Sequence, residues 1–212
     1  MHWETVTALL KEVLEAVMKE KIFDQFRLVG GTSLSLQCGH RSSVDIDLFT
    51  DAEYGSIDFE SIDHWFRNHY AIVITHHVGS IGFGITYYIG HSKDDLLKVD
   101  LYYTDTFVRP IIEREGIRLA DEEDVIAMKL NIVGQGGRKK DFWDLYEVSD
   151  RYSFIKMISV YHEREPYGYS IEDLRKGFQN FSLPADDLDP LCLRGRHWEI
   201  VKYDLIQWLR LG

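Results

Sequence analysis

The chain has 212 residues, 45% of them hydrophobic and 13% aromatic, which is enough for a sizeable core in one large domain or two small ones and excludes a disordered chain. Its net charge of −11 excludes a general nucleic-acid binder held by nonspecific attraction, although Arg138-Lys139-Lys140 could still meet RNA locally. Only two cysteines occur, Cys38 and Cys192, far apart and outside any Cys-x-x-Cys spacing, so neither a zinc site nor a disulfide framework is expected and a reducing cytoplasm is the natural compartment. The start lacks a basic segment, and Lys11, Glu12 and Glu15 interrupt the apolar run behind it. No signal peptide is expected, and no uncharged run is long enough to span a bilayer.

Residues 5–19 carry Leu9, Leu10, Val13, Leu14 and Val17 at helical spacing, so an amphipathic helix opens the chain. A short strand over 26–29 runs into Gly30-Gly31, and 32–37 reads as a helix behind that turn. Residues 44–49 read as a strand and 57–70 as a helix. Three β-like runs follow at 71–78, 81–89 and 96–103, with glycines between them as turn signals, and 111–119 is a candidate further strand. After Asp121 the pattern becomes helical, over 122–133, 140–152, 154–161, 171–178 and 198–209. Mixed α/β followed by all-helix predicts an α+β chain of two parts, 1–118 and 119–212.

The most informative string is Gly30-Gly31-Thr32 followed by Ser43-Val44-Asp45-Ile46-Asp47-Leu48-Phe49. Asp45 and Asp47, one residue apart in a strand, project from the same side. Adjacent carboxylates repel, and burial deepens the penalty, so a cation is the usual remedy; Mg²⁺ takes oxygen ligands and leaves room for phosphates. The glycine pair lets backbone approach a phosphate closely, and Thr32 can begin a helix whose free N–H groups favour an anion. In the run 96–103, Lys98 and Asp100 share a face. Alone, Asp100 would sooner end a solvent-facing stripe. Beside Asp45 and Asp47 it completes the set expected for two-metal phosphoryl or nucleotidyl transfer.

Lys129 falls within an apolar helical stripe and must either snorkel outward or meet an anion. Asp141 and Asp144 share one helix face, where they could cap the helix, pair with Lys129 or Arg138, or hold a nucleotide. His40 either touches phosphate or caps a helix. His76 and His77 point to opposite strand faces and form no easy metal pair. Gly134-Gln-Gly-Gly-Arg-Lys139 lacks the Gly-Lys-Ser/Thr of a phosphate loop and reads as a connection between helices.

These motifs together resemble the AbiEii/AbiGii-type nucleotidyltransferase toxin family of the DNA polymerase beta-like superfamily. The matching residues are Gly30-Gly31-Thr32 with Leu34, His40-Arg41-x-Ser43-x-Asp45-Ile-Asp47-Leu-Phe49, Lys98-x-Asp100, Asp124-x-x-Ala127-x-Lys129 and Lys140-Asp141-Phe-x-Asp144-Leu-Tyr146. Thr32 stands where many superfamily members have the serine of Gly-Ser and offers a similar hydroxyl. The resemblance implies a nucleotidyltransferase-fold mixed sheet flanked by helices, with a helical C-terminal lobe. It implies NTP and Mg²⁺ (or Mn²⁺), with metal at Asp45 and Asp47 and with Asp100 as the third metal ligand or as the base that activates the acceptor hydroxyl. Phosphate is then expected on Gly30, Gly31 and Thr32, and Lys129, with Arg41 in support, on the triphosphate. Asp141 and Asp144 are implied near the nucleotide. The resemblance also implies the toxin of a toxin–antitoxin or phage-defence system, with an RNA such as tRNA as acceptor and a cognate antitoxin as partner; the fold equally permits a protein acceptor, which an acidic surface with one small basic cluster suits better than a long RNA. A catalytically silent nucleotide-binding or protein-interaction module on the same fold is the alternative.

Overall fold

Thr7 begins the first helix, α1 (Ala8–Val17), by accepting from the Leu10 N–H at 3.1 Å. Its buried stripe of Leu9, Leu10, Val13, Leu14 and Val17 packs on the sheet face behind the acidic string. In the computed structural model, described over residues 1–75, 82–181 and 187–211, the strands are β1 (Arg27–Leu28), β2 (Asp45–Thr50), β3 (Ile72–Thr75), β4 (Gly84–Ser92), β5 (Asp95–Tyr103), β6 (Ile112–Arg114) and β7 (Ile117–Leu119). They form one mixed sheet in the order β3-β4-β5-β2-β1-β7-β6, with β2–β5 and β1–β7 parallel and the other pairs antiparallel. The remaining helices are α2 (Gly30–Cys38), α3 (Phe59–His69), α4 (Glu122–Gly134), α5 (Lys139–Val148), α6 (Phe154–Arg164), α7 (Ile171–Gln179) and α8 (Trp198–Leu211). This is the α+β architecture read from the sequence.

Two expectations change. The run 111–119 is a hairpin of β6 and β7 rather than one strand, turned at Glu115 and Gly116, whose φ values of 51° and 80° suit a tight two-residue turn. The run 71–78 supplies β3 only to Thr75, and His76 and His77 lie outside the described residues.

Period-two burial in the central strands decides which face is open. In β2, Ile46, Leu48 and Thr50 are buried while Asp45, Asp47 and Phe49 are half-buried. In β5, Leu97, Val99 and Leu101 are buried, against half-buried Lys98, Asp100 and Tyr102. One apolar cluster gathers α1, α3 and the sheet, up to Leu119. A second gathers α4 to α8 with Val29, Leu34 and Phe107. Helix α2 lies between them: Leu36 belongs to the first and Leu34 to the second, and every residue from Gly31 to Leu36 is buried. The parts are also joined by Arg164 of α6, which donates to the Thr106 carbonyl at 2.9 Å and to Thr104 Oγ1 at 2.8 Å in the connection after β5. Among the described residues, no helix is long and apolar enough to cross a membrane.

Candidate active site

Parallel pairing of β2 with β5 sets Asp47 directly opposite Asp100 and Asp45 opposite Lys98. Because side chains alternate, Asp45, Asp47 and Asp100 share the face that α1 does not cover. The antiparallel partner β4 adds Thr86 opposite Asp100. Thr86 Oγ1 donates to Asp100 Oδ1 at 2.7 Å, and the Lys98 ammonium pairs with Asp100 Oδ2. Lys140 Nζ, from the first turn of α5, lies 3.5 Å from Asp45 Oδ2. Neither Thr86 nor the Lys140 contact was anticipated, although the alternation in 81–89 could have put Thr86 on this face. Burial, then the charges of Asp45 and Asp100, raise Asp47 from the ordinary 3.8 to about 6. Of the three carboxylates, Asp45 and Asp100 each have a lysine partner.

The glycine pair acts by close approach. Gly30, at φ +68°, opens α2, and a Cβ there would collide with Asp47 Oδ2, so the carboxylate lies against the first turn of the helix. A Cβ on Gly31 would collide with the Arg41 guanidinium. Val29 at the N-cap gives no side-chain acceptor, so the leading N–H groups of α2 are not capped by it. Thr32, expected on phosphate, is buried. Its hydroxyl lies 2.8 Å from Ser43 Oγ and donates to the Asp45 carbonyl at 2.5 Å, which pins α2 to the start of β2. Gly30→Ala and Gly31→Ala should therefore each lower stability by more than the ordinary exposed-site effect, by about 1–3 kcal/mol. Chemical denaturation of the purified variants checks this. Wild-type stability in both would show that the crowding relaxes freely.

The other predicted residues gather in a buried polar node behind α2. Asp144 accepts from His40 Nε2 at 2.8 Å, Arg41 Nε at 2.6 Å and Arg41 Nη2 at 2.8 Å. Lys129 Nζ stands 2.6 Å from Asp141 Oδ1 and 2.8 Å from Asp144 Oδ2. Asp141 also accepts from Arg138 Nε at 2.9 Å and the Arg138 N–H at 3.1 Å, which caps α5. Lys129 neither snorkels nor stands free. Of the uses open to Asp141 and Asp144, the structure displays the helix cap, made by Asp141, and pairing with Lys129 and Arg138, with Arg41 added from 103 positions away. Burial works against every charge here, yet Arg41 and Lys129 hold Asp144 well below the usual carboxylate range. Burial likewise opposes the Lys129 ammonium, and Asp144 and Asp141 more than offset it.

The donor chemistry fits a hard divalent cation: carboxylate oxygens from Asp45, Asp47 and Asp100, with Asp47 elevated by burial and by the two neighbouring acids. In the conformation described, Lys98 and Lys140 take up part of that role. Among the described residues, no three acidic, His or Cys side chains are drawn tightly enough together to grip a metal.

A mixed sheet with this carboxylate face beside a glycine-led helix defines the nucleotidyltransferase fold. The family described as "Nucleotidyl transferase AbiEii toxin, Type IV TA system" matches residues 12–164, and the chain belongs to that family. An uncharacterized protein, aq_aa25, from Aquifex aeolicus (strain VF5) is 31% identical over 145 residues, which is 64% of this chain and 63% of that protein's length. The fold is shared with a candidate nucleotidyltransferase from H. pylori, with TM-score 0.64, 21% identity and 96% and 93% of the two chains covered. It is shared too with MenT4, a nucleotidyltransferase toxin from Mycobacterium tuberculosis H37Rv, with TM-score 0.56, 13% identity and 95% and 82% covered. Helices α7 and α8 lie beyond the residues matched by the family.

Proposed function

We propose that this chain is a metal-dependent nucleotidyltransferase and acts as the toxin of a toxin–antitoxin or phage-defence system, in the cytoplasm and restrained by a cognate antitoxin. The observation that carries the reading is the register that sets Asp47 opposite Asp100, with Asp45 on the same open face beside the first turn of α2. Mg²⁺ or Mn²⁺ held by Asp45, Asp47 and Asp100 would supply positive charge to the attacking and leaving oxygens. The uncapped N–H groups at the start of α2 favour the triphosphate. Lys140, 3.5 Å from Asp45, is placed to follow phosphate charge. Asp100, oriented by Thr86, takes the proton of the acceptor hydroxyl as its oxygen attacks the α-phosphorus and pyrophosphate departs. His40, Arg41, Lys129, Asp141 and Asp144 hold α2 and α5 against one another, so Arg41 and Lys129 act on the nucleotide through position. Residues 1–118 form the catalytic part and 119–212 the helical lobe. The acceptor is an RNA such as tRNA, or a protein.

The test is incubation of the chain with each labelled NTP, Mg²⁺ and total cell RNA or protein. Label in a macromolecule supports transfer, and its RNase or protease sensitivity names the acceptor. NTP binding with no transfer to either pool would favour the silent-module reading. Asp100→Ala should lower turnover at least ~100-fold, the scale of general-base loss, while changing NTP affinity far less. Normal turnover with only a raised KM would place Asp100 outside the chemistry.

A further inference from the structure

A cleft of about 640 Å³ opens at the Asp45 end of the carboxylate face, with Val44, Arg138, Lys140, Leu188 and Leu191 among its walls. Resting on the nucleotidyltransferase reading, we propose that this cleft seats the base and ribose of the donor nucleotide and that residues 187–191 form its apolar wall.

That wall is built in. The Ser42 N–H donates to the Leu191 carbonyl and the Leu193 N–H to the His40 carbonyl, both at 2.9 Å. Asp187 accepts from the Lys139 N–H at 3.1 Å, and Asp189 pairs with Lys139 Nζ at 2.9 Å. The segment is thus stitched to both the approach to β2 and the start of α5. Yet it leaves Leu188 93% and Leu191 69% exposed, facing a cleft that Val44, 67% exposed, also lines. Three large apolar side chains left bare around one concavity, next to a few charged groups, mark a ligand site rather than a stray surface leucine.

The chemistry of the walls names the ligand. Apolar side chains suit the faces of a planar base. Arg138 and Lys140 line the same cleft and favour an anionic tail, and Asp45 at its edge connects it to the carboxylates. An apolar ring joined to a polyanion is a nucleotide. The donor fits better than the acceptor because of the sheet order: Asp100, the proposed base, lies on β5 with β4 beyond it, on the far side of β2 from β1, the strand that leads into α2. An acceptor hydroxyl approaches Asp100 from there, whereas the cleft opens at residues 41–45. A second depression of about 490 Å³, lined by Glu20, Asp58 and Glu60 among others, contains none of the site carboxylates and, among the described residues, no lysine or arginine to offset its acids, whereas in the cleft Arg41, Arg138 and Lys140 stand against Asp45, Asp187 and Asp189. Because 187–191 lies beyond the residues matched by the family, the choice of base is set here by side chains outside that match.

The test uses the full chain carrying Leu188→Asp with Leu191→Asp, both exposed enough to spare the fold. Calorimetry with Mg²⁺ measures binding of α,β-methylene analogues of the four NTPs and, separately, of inorganic tripolyphosphate. Nucleotide affinity is expected to fall at least 10-fold, with tripolyphosphate affinity within 2-fold of wild type and an unchanged melting temperature. Leu191→Trp, which narrows the cleft, is expected to reorder the four nucleotides. Unchanged nucleotide affinity in the double variant overturns the proposal, and a raised acceptor KM alongside it would assign the cleft to the acceptor. Equal losses for nucleotide and tripolyphosphate also overturn it, by placing the effect at the phosphates. If the wild-type chain binds tripolyphosphate and all four analogues no better than background, the nucleotidyltransferase reading itself fails.

Discussion

Asp144→Ala should destabilise the protein by about 3–5 kcal/mol at neutral pH, the scale for stripping one partner from a buried ion pair. Its carboxylate is fully buried and receives Arg41, Lys129 and His40, so alanine leaves two cationic side chains away from water with Asp141 as their main remaining counter-charge. Lys129→Ala should cost a similar amount by leaving Asp141 and Asp144 under-compensated. A lysine serving only the triphosphate would behave differently: its removal would weaken NTP use and leave stability little changed. The sign follows from the shifts. Asp144, depressed on folding, contributes stability that is present above about pH 4 and lost only as pH falls through its low folded value. Lys129, raised on folding, contributes stability present below its ordinary 10.5 and lost as pH climbs through its folded value. Urea denaturation at pH 7 measures both substitutions. Losses under about 1 kcal/mol would mean that the charges reach water and that the node is not closed.

The double change Asp45→Asn with Asp47→Asn should remove transfer, by about 1,000-fold or more, while leaving the metal-free protein as stable as wild type or more so. The two results are linked because the carboxylates that would hold metal repel one another without it. Asp47 releases its proton at about pH 6 in the folded chain, above its ordinary 3.8. The folded state therefore holds that proton more tightly, and its stability declines as pH rises from about 4 to 6, by up to about 3 kcal/mol. Asn at 47 abolishes this part of the decline, and Mg²⁺ should counter it in the wild type alone. Thermal melts of both proteins from pH 4 to 8, with and without Mg²⁺, read this directly. A double variant that melts lower at pH 8, or transfers nucleotide at the wild-type rate, would sink the reading of these acids as metal ligands.

The fold was legible where period and punctuation were strong. Alternation in β2 and β5 announces one acidic and one apolar face, and the glycine pair announces a close approach. Side-chain partnership was less legible, because it depends on where distant segments meet. Arg41 carries no local sign that it ends on Asp144. Lys129 in its apolar stripe is compatible with snorkelling, with phosphate, or with the buried acids it meets. The Lys140 contact with Asp45 likewise arises from the docking of α5 beside β2, which no period encodes. The wall at 187–191 has no periodicity of its own; backbone hydrogen bonds to residues 40 and 42 place it.

The distance along the chain between Arg41 and Asp144 has a consequence for synthesis. All three carboxylates leave the ribosome before α4 and α5, together with the glycine-led helix they flank. The counter-charge for Arg41 arrives 103 positions later, with α5, and the stitches from Leu191 and Leu193 later still. A nascent chain thus carries its acidic face long before it can fix the helix beside it. Assembly of the site waits for α5 and the segment around Leu191, and a prematurely released fragment ending before Asp144 has the acids without the lock.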